Sequence, residues 1–269
     1  MVDIAVEGLV HVYARGAVRA LDGVSLAFGS GQRIALVGQN GSGKTTLVRH
    51  LNGLLRPTAG RVLLDGADTA ERTVAWLARR VGLVFQDPDR QIFSGSVRAE
   101  VEFGPRNLGV SGADLRAIVD QALEAVGLER EARTNPYDLG ASRRKLLALA
   151  SVLAMQTPIL VLDEPTTGQD RRGVDRLRSI VDAAAGQGRT VIAISHDMRF
   201  VAESFDRVVV MRAGRVILDG APSSVFARDA WHDLRSTYLE PPASAVIGDR
   251  LGLGTTPTDE SLISALANQ

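Results

Sequence analysis

Gly38-Gln39-Asn40-Gly41-Ser42-Gly43-Lys44-Thr45 is the stretch on which the reading of this chain turns. Its spacing is G-x-x-x-x-G-K-[ST]. An apolar run, Arg33 to Val37 (RIALV), leads into it, and Thr45 to Leu55 leads out with Leu47, Leu51, Leu54 and Leu55 at helical spacing. A buried strand, a glycine loop and a helix in that order form a phosphate cradle. The glycines let successive backbone N–H groups turn toward one phosphate, and the helix N-terminus adds partial positive charge. Gly38, Asn40, Gly41, Ser42, Gly43 and Thr46 are cradle candidates. Lys44 would reach the β and γ oxygens of ATP, and Thr45 would offer a hydroxyl to Mg2+. A flexible Gly/Ser loop with a chance lysine would lack the flanking strand and helix. Lysine is scarce: Lys44 and Lys145 are the only two among 31 basic residues. An ammonium is a compact point charge, so a lysine kept against an arginine bias suggests a chemical need.

Outward from the loop, short apolar runs recur at Arg61 to Leu64, Val81 to Phe85, Ile159 to Leu162, Thr190 to Ile194, Val208 to Met211 and Val216 to Leu218. The first 40 residues alternate in the strand manner, through Ile4, Val6, Val24, Leu26 and Phe28. Between Asp87 and Met155 the character is helical. Leu115, Ile118, Val119, Ala122, Leu123 and Val126 keep helical spacing up to a stop at Gly127, and a second helix is expected over 142–155. Strands alternating with helices predict an α/β fold with a parallel core.

Ligands of such sheets bind beyond the carboxyl ends of the strands. Three further strand ends carry polar residues. Ile159-Leu160-Val161-Leu162 runs into Asp163 and Glu164; Thr190 to Ile194 is followed by Ser195-His196-Asp197; Val81 to Phe85 is followed by Gln86. Beside a phosphate loop, Asp163 would hold the Mg2+ shell and Glu164 would polarise the attacking water. Gln86 and His196 would reach the metal and the γ-phosphate. Alone, two acids after a strand would read as a solvated strand end.

Composition narrows the setting. The 269 residues include 31 basic and 31 acidic side chains and no cysteine. Balanced charge gives no nucleic-acid footprint. Absence of cysteine excludes a disulfide framework. The most apolar stretch, Leu146 to Met155, is about half the roughly 20 residues a bilayer requires. The N-terminus lacks a basic segment before an apolar one, so a secretion signal is not expected.

The order of phosphate loop, Gln86, Asp163-Glu164, Thr167-Gly168-Gln169-Asp170 and His196 resembles the ATP-binding subunits of ABC transporters, over about residues 3 to 220. The resemblance implies a P-loop NTPase core with a mixed parallel sheet, an N-terminal antiparallel β portion, an inserted helical subdomain at about 87–155 and a small C-terminal extension. It divides the chain into an ATP-binding domain, 1–221, and an extension, 222–269. It also places Tyr13 where an aromatic stacks on adenine. A second, identical or homologous ATPase subunit would pair head to tail with this one, with Asp170 at the seam.

A narrower segment, Gln86-Asp87-Pro88-Asp89-Arg90-Gln91-Ile92-Phe93 followed by Glu102-Phe103-Gly104-Pro105, is similar to the ATPases of energy-coupling factor (ECF) transporters, which import vitamins, cobalt or nickel. That likeness implies a transmembrane coupling subunit, a substrate-binding membrane component, a dimerising tail and a place on the cytoplasmic face of the membrane. Arg90, Gln91, Ile92 and Phe93 would be the contacts with the membrane partner. The other readings are the ATPase of a conventional ABC importer or exporter, and a soluble ABC-type ATPase working on DNA or the ribosome. The last would call for a long coiled coil or a second cassette.

One segment departs from the family. Where L-S-G-G-Q is expected, the chain reads Leu139-Gly140-Ala141-Ser142-Arg143, and Arg143, Arg144 and Lys145 crowd the start of a helix. Exposed cations there cost about 0.3–1 kcal/mol each against the helix dipole unless an anion lies opposite. The expectation is that Ser142 and Arg143 face the γ-phosphate bound by the partner subunit. The alternative is that they point to solvent.

Overall fold

A computed structural model describes residues 3–13 and 18–268. Two strands open the chain, β1 (Ile4–Tyr13) and β2 (Val18–Phe28), paired antiparallel from Ile4↔Phe28 to Tyr13↔Val18. Next come β3 (Arg33–Val37), the glycine loop and α1 (Lys44–Leu51). That helix is shorter than its leucine spacing predicts. It is closed off before Gly53, which takes a left-handed φ of 74°. β4 (Ala59–Leu64), the two-residue β5 (Ala67–Asp68), α2 (Val74–Ala78) and β6 (Val81–Val84) follow.

The insert holds α3 (Val97–Asn107), α4 (Gly112–Val126) and α5 (Ala141–Leu153), which pack on one another. Gly127 does end α4, at φ 67°. The second half runs β7 (Ile159–Asp163), α6 (Arg171–Gly186), β8 (Thr190–Ile194), α7 (Met198–Ser204), β9 (Arg207–Arg212) and β10 (Arg215–Gly220). Four short helices close the chain: α8 (Pro222–Val225), α9 (Trp231–Arg235), α10 (Ala243–Arg250) and α11 (Asp259–Ala267).

Two sheets result. One is antiparallel, in the order β2-β1-β4-β5; the other has six strands in the order β10-β9-β3-β8-β7-β6. The five from β9 to β6 are mutually parallel, and β10 joins β9 antiparallel. The β3, β7 and β8 side chains are buried on both faces, apart from Arg33. Their twofold alternation sorts them between two cores. Ile34, Leu36, Ile159, Val161, Ile192 and Ile194 pack with α1 and the antiparallel sheet. Ala35, Val37, Leu160, Leu162, Val191 and Ala193 pack with the insert and α6. Covered faces explain why these strands read as continuous apolar runs.

The boundary expected at residue 221 is not a break in packing. Val225, Phe226, Leu234, Leu239 and Ala245 join the second core. Only α11 contributes no buried residue. Its N-terminus is capped reciprocally: the Thr258 hydroxyl accepts from the Ser261 N–H, and the Ser261 hydroxyl accepts from the Thr258 N–H.

Candidate functional site

Because β3, β6, β7 and β8 run parallel, their C-terminal ends open on one edge. There a cleft of about 250 Å3 is lined by the glycine loop, Lys44, Thr45, Thr46, Gln86, Asp163, Glu164, His196 and Tyr13. The loop residues Asn40, Gly41, Ser42 and Gly43 are all on its wall. Four chain segments predicted to converge are thus together. Gly38 does not line the cleft; it acts by shape. With φ 141°, a Cβ there would lie 2.1 Å from the Met211 carbonyl oxygen. Gly43, at φ 106°, is pressed against Ala20 O in the same manner, at 2.6 Å.

Lys44 starts α1, which has no side-chain cap, so the first amides of the helix are left for a ligand. The buried ammonium donates to Gly38 O (2.5 Å), Gln39 O (3.0 Å) and Ser42 Oγ (3.3 Å). Burial pushes its pKa down, while Glu164 and Asp163 pull it back up. An anion with several oxygens suits this cradle. For Mg2+ the fit lies in two groups: the Thr45 hydroxyl donates to Asp163 Oδ2 at 3.2 Å. No cluster of three or more His, Cys, Asp or Glu occurs among the described residues. The pair suits an ion that takes its other ligands from substrate phosphates and water.

Glu164 is buried, and burial raises its carboxyl from 4.5 to about 7, with Lys44 opposing the rise and Asp163 adding to it. His196 Nε2 lies 3.0 Å from Glu164 Oε1. Burial and Lys44 hold that imidazole below its usual pKa. A carboxyl that exchanges its proton near neutrality, beside an imidazole, is suited to taking a proton from water. Its backbone is left-handed, at φ 51°, with the amide donating to Ile194 O at 3.0 Å. Such a conformation in a residue with a Cβ costs roughly 1–3 kcal/mol and concentrates at functional sites. The acid pair carried no signal for this turn.

At the mouth of the cleft Tyr13 is part exposed, and its hydroxyl hydrogen-bonds the Thr46 hydroxyl at 3.0 Å. Val18, Arg19 and Ala20, which sequence reasoning did not single out, line the same mouth. Only the β1–β2 register, which sets Val18 against Tyr13, brings them there.

Ser142, Arg143 and Asp170 lie outside this cleft. Asp170 caps α6, accepting from Gly173 N at 2.8 Å. The crowded cations are explained within the chain. Arg143 pairs with Glu131 at 2.8 Å and donates to Gly127 O; Arg144 pairs with Asp89 at 3.0 Å; Lys145 donates to Thr167 O at 2.8 Å. Ser142 Oγ donates to Gln169 Oε1 at 2.8 Å, and Gln169 Nε2 returns a bond to Ser142 O. Arg143 stays exposed, and the Gly127 carbonyl at the end of α4 and Glu131 supply the negative charge its helix position calls for.

The expected contact segment also needs correction. Gln91 turns inward, donating to Ala148 O (2.9 Å) and Ser151 Oγ (3.1 Å), and Ile92 is buried. A single 3-10 turn over Pro88–Arg90 rotates them under the surface. Arg90 and Phe93 stay exposed, with Phe93 edge-on to Phe103 at 4.7 Å.

Known proteins share this arrangement. The ABC transporter family matches residues 21–167. The chain is 43% identical, over 92% of its length and 88% of the relative's, to the energy-coupling factor transporter ATP-binding protein EcfA2 of Symbiobacterium thermophilum, and 42% identical to EcfA1 of the same organism, over 97% and 93%. Among solved structures it resembles CbiO1 of Clostridium perfringens, part of the ABC transporter complex CbiONQ, with a TM-score of 0.76 and 35% identity over 93% of this chain and 98% of that one. A dimeric bacterial ABC transporter cassette, MJ0796, aligns with a TM-score of 0.74 and 25% identity over 81% and 98%. A phosphate cradle at one sheet edge, a buried carboxyl beside it and this likeness lead to one conclusion: the chain belongs to the ABC transporter family, as an ATP-binding, ATP-hydrolysing subunit.

Proposed function

We propose that this chain powers uptake through an ECF-type transporter, working as one of a pair of ATPases on the cytoplasmic face of the membrane beside a transmembrane coupling subunit and a substrate-binding membrane component. The observation that carries the hydrolytic half is Glu164, buried beside Lys44 and 3.0 Å from His196. The names of its relatives favour the ECF setting over a conventional importer or exporter. Among the described residues no helix is long and apolar enough to cross a membrane, which fits a subunit held there by protein contacts.

In this reading the glycine loop and Lys44 bind the phosphates, and Tyr13 stacks on adenine. Thr45 and Asp163, with Gln86 lining the same cleft, would hold Mg2+, which would neutralise charge on the phosphate oxygens. Glu164 takes the proton of the attacking water, and His196 holds Glu164 and reaches the γ-phosphate. Asp170 and Ser142 lie at the seam with the second subunit. An apolar groove of about 280 Å3, with Leu54, Phe93, Phe103 and Met155 on its walls, would receive the membrane partner. Residues 222–269 would extend the ATP-binding domain and add to the contact between the paired ATPases.

The test is Glu164→Gln in the assembled complex. ATP binding should persist while hydrolysis falls on the order of 10²–10⁴-fold. Near-normal turnover would remove Glu164 from the base role. Co-purification of the tagged chain from detergent-solubilised membranes with a membrane subunit checks the transport assignment.

A further inference from the structure

Two of the four histidines form a buried pair that the phosphate chemistry does not use. His50, on α1, is fully buried, and His11, on β1, is 7% exposed. His50 Nδ1 lies 2.7 Å from the Thr46 carbonyl oxygen. A carbonyl only accepts, so Nδ1 carries the hydrogen and Nε2 of the neutral ring is an acceptor. That Nε2 lies 3.1 Å from His11 Nδ1, which is also 3.2 Å from the Arg56 carbonyl oxygen. His11 Nδ1 must therefore donate, shared between two acceptors. Both rings carry a hydrogen on Nδ1, set by their partners. Burial lowers the pKa of His50, which favours the neutral ring this network requires.

The pair is not isolated from the nucleotide cleft. The His11 ring meets the Tyr13 ring edge-on, with centroids 4.6 Å apart and planes at 79°. The Tyr13 hydroxyl returns to Thr46 at 3.0 Å. Thr46, His50, His11 and Tyr13 thus close a ring of contacts that spans α1 and β1. Its other end is Thr46, next to Thr45 on the helix that opens with Lys44. A T-shaped contact takes one face of Tyr13 at most, so a face remains for a planar base.

We propose that His11 and His50 are positioning residues for nucleotide binding: they hold the Tyr13 ring at a fixed distance from the phosphate cradle, so that adenine and the triphosphate are gripped as one rigid ligand. This rests on the reading of Tyr13 as the adenine platform. The ring of contacts ties that platform to the cradle helix. Its effect is on binding of the base. It touches no reacting atom.

The experiment uses the ATPase of the assembled complex. KM and kcat for ATP are measured together with the inhibition constant of inorganic triphosphate, which has the phosphates but no base. His11→Leu and His50→Leu are each expected to raise the ATP KM about three- to tenfold, a share of what base stacking supplies, with kcat within about twofold and the triphosphate constant unchanged. Combined with Tyr13→Ala, either change should add little to Tyr13→Ala alone, because both act through one ring. His50→Gln keeps a donor and an acceptor and should recover part of the loss. It also serves as the test if the leucine variant does not fold. Equal weakening of ATP and triphosphate would mean general damage to α1 and overturn the proposal. Unchanged KM in the histidine variants, or a fully additive double variant, would overturn it as well. If Tyr13→Ala leaves the ATP KM unchanged, the platform reading itself fails and the proposal falls with it. The single tyrosine variant thus separates the two failures.

Discussion

The cleft at the sheet edge and the corner where α5 begins, which the proposed reading sets at the seam with a second subunit, are built oppositely. At the cleft, helix amides are left open and the backbone is held out of its ordinary range. The first amides of α1 have no cap, and Glu164 keeps a buried carboxyl and a left-handed backbone. At the α5 corner each side chain singled out from the sequence is paired within the chain, Arg143 with Glu131, Arg144 with Asp89, Lys145 with Thr167 and Ser142 with Gln169, and the buried Arg144 Nε has its carboxylate near but no hydrogen bond. The cleft is therefore poised before ligand arrives. In the proposed reading the corner would exchange existing contacts to engage a second subunit, so that strain would mark the region of chemistry and internal pairing the region of docking.

Four changes probe that contrast, in falling order of effect. Phe226→Ala tests whether the tail belongs to the same core as the cleft. A fully buried phenylalanine should cost about 3–5 kcal/mol in urea unfolding. A cost near zero would restore 222–269 as a separate appendage. Gly38→Ala attacks the backbone of the cradle. Its Cβ meets the Met211 carbonyl at 2.1 Å, so a loss of roughly 3 kcal/mol or more, with loss of ATP binding, is expected by thermal melting and nucleotide titration.

Glu164→Gln measures the cost stored at the proposed base in nucleotide-free protein. The folded carboxyl is raised from 4.5 to about 7. A raised acid contributes its stability below the unfolded value and loses it as pH climbs through the folded value. The shift bounds that loss at about 3 kcal/mol. The glutamine variant should gain stability relative to the parent at pH 8 and none at pH 4, read from melting curves at both. Arg143→Ala is the smallest. A half-exposed ion pair contributes under about 1 kcal/mol, so stability and the ATPase rate of the complex should barely move. A large fall in rate without unfolding would put the guanidinium on the partner's γ-phosphate and break the contrast.

What could be read in advance divides along the same line. RIALV, ILVLD and TVIAI announced their strands because both faces are covered, and the strand direction alone gathers Lys44, Gln86, Asp163, Glu164 and His196. The α5 corner was illegible because its partners are set by how α4 ends, and no local pattern links Glu131 to Arg143. Gln91 and Ile92 misled in the surface reading because one 3-10 turn reverses which side faces out. The packing of the tail was not legible because Phe226, Leu234 and Leu239 are sparse among polar residues and acquire meaning only against a finished core. The helix α6 follows the acids without a distinctive stop and was not singled out.

The place of β3 in its sheet has a consequence in time. Its neighbours are β8 and β9, so the strand made at residues 33–37 waits for partners at 190 and 207. At the usual pace of synthesis that interval is roughly ten to thirty seconds. Throughout it the RIALV strand has no sheet to join, and the loop after it has no Met211 carbonyl to pack against. A chain that stops early therefore makes no partial ATP site. The phosphate loop is written near the beginning of the sequence and becomes a binding site near its end.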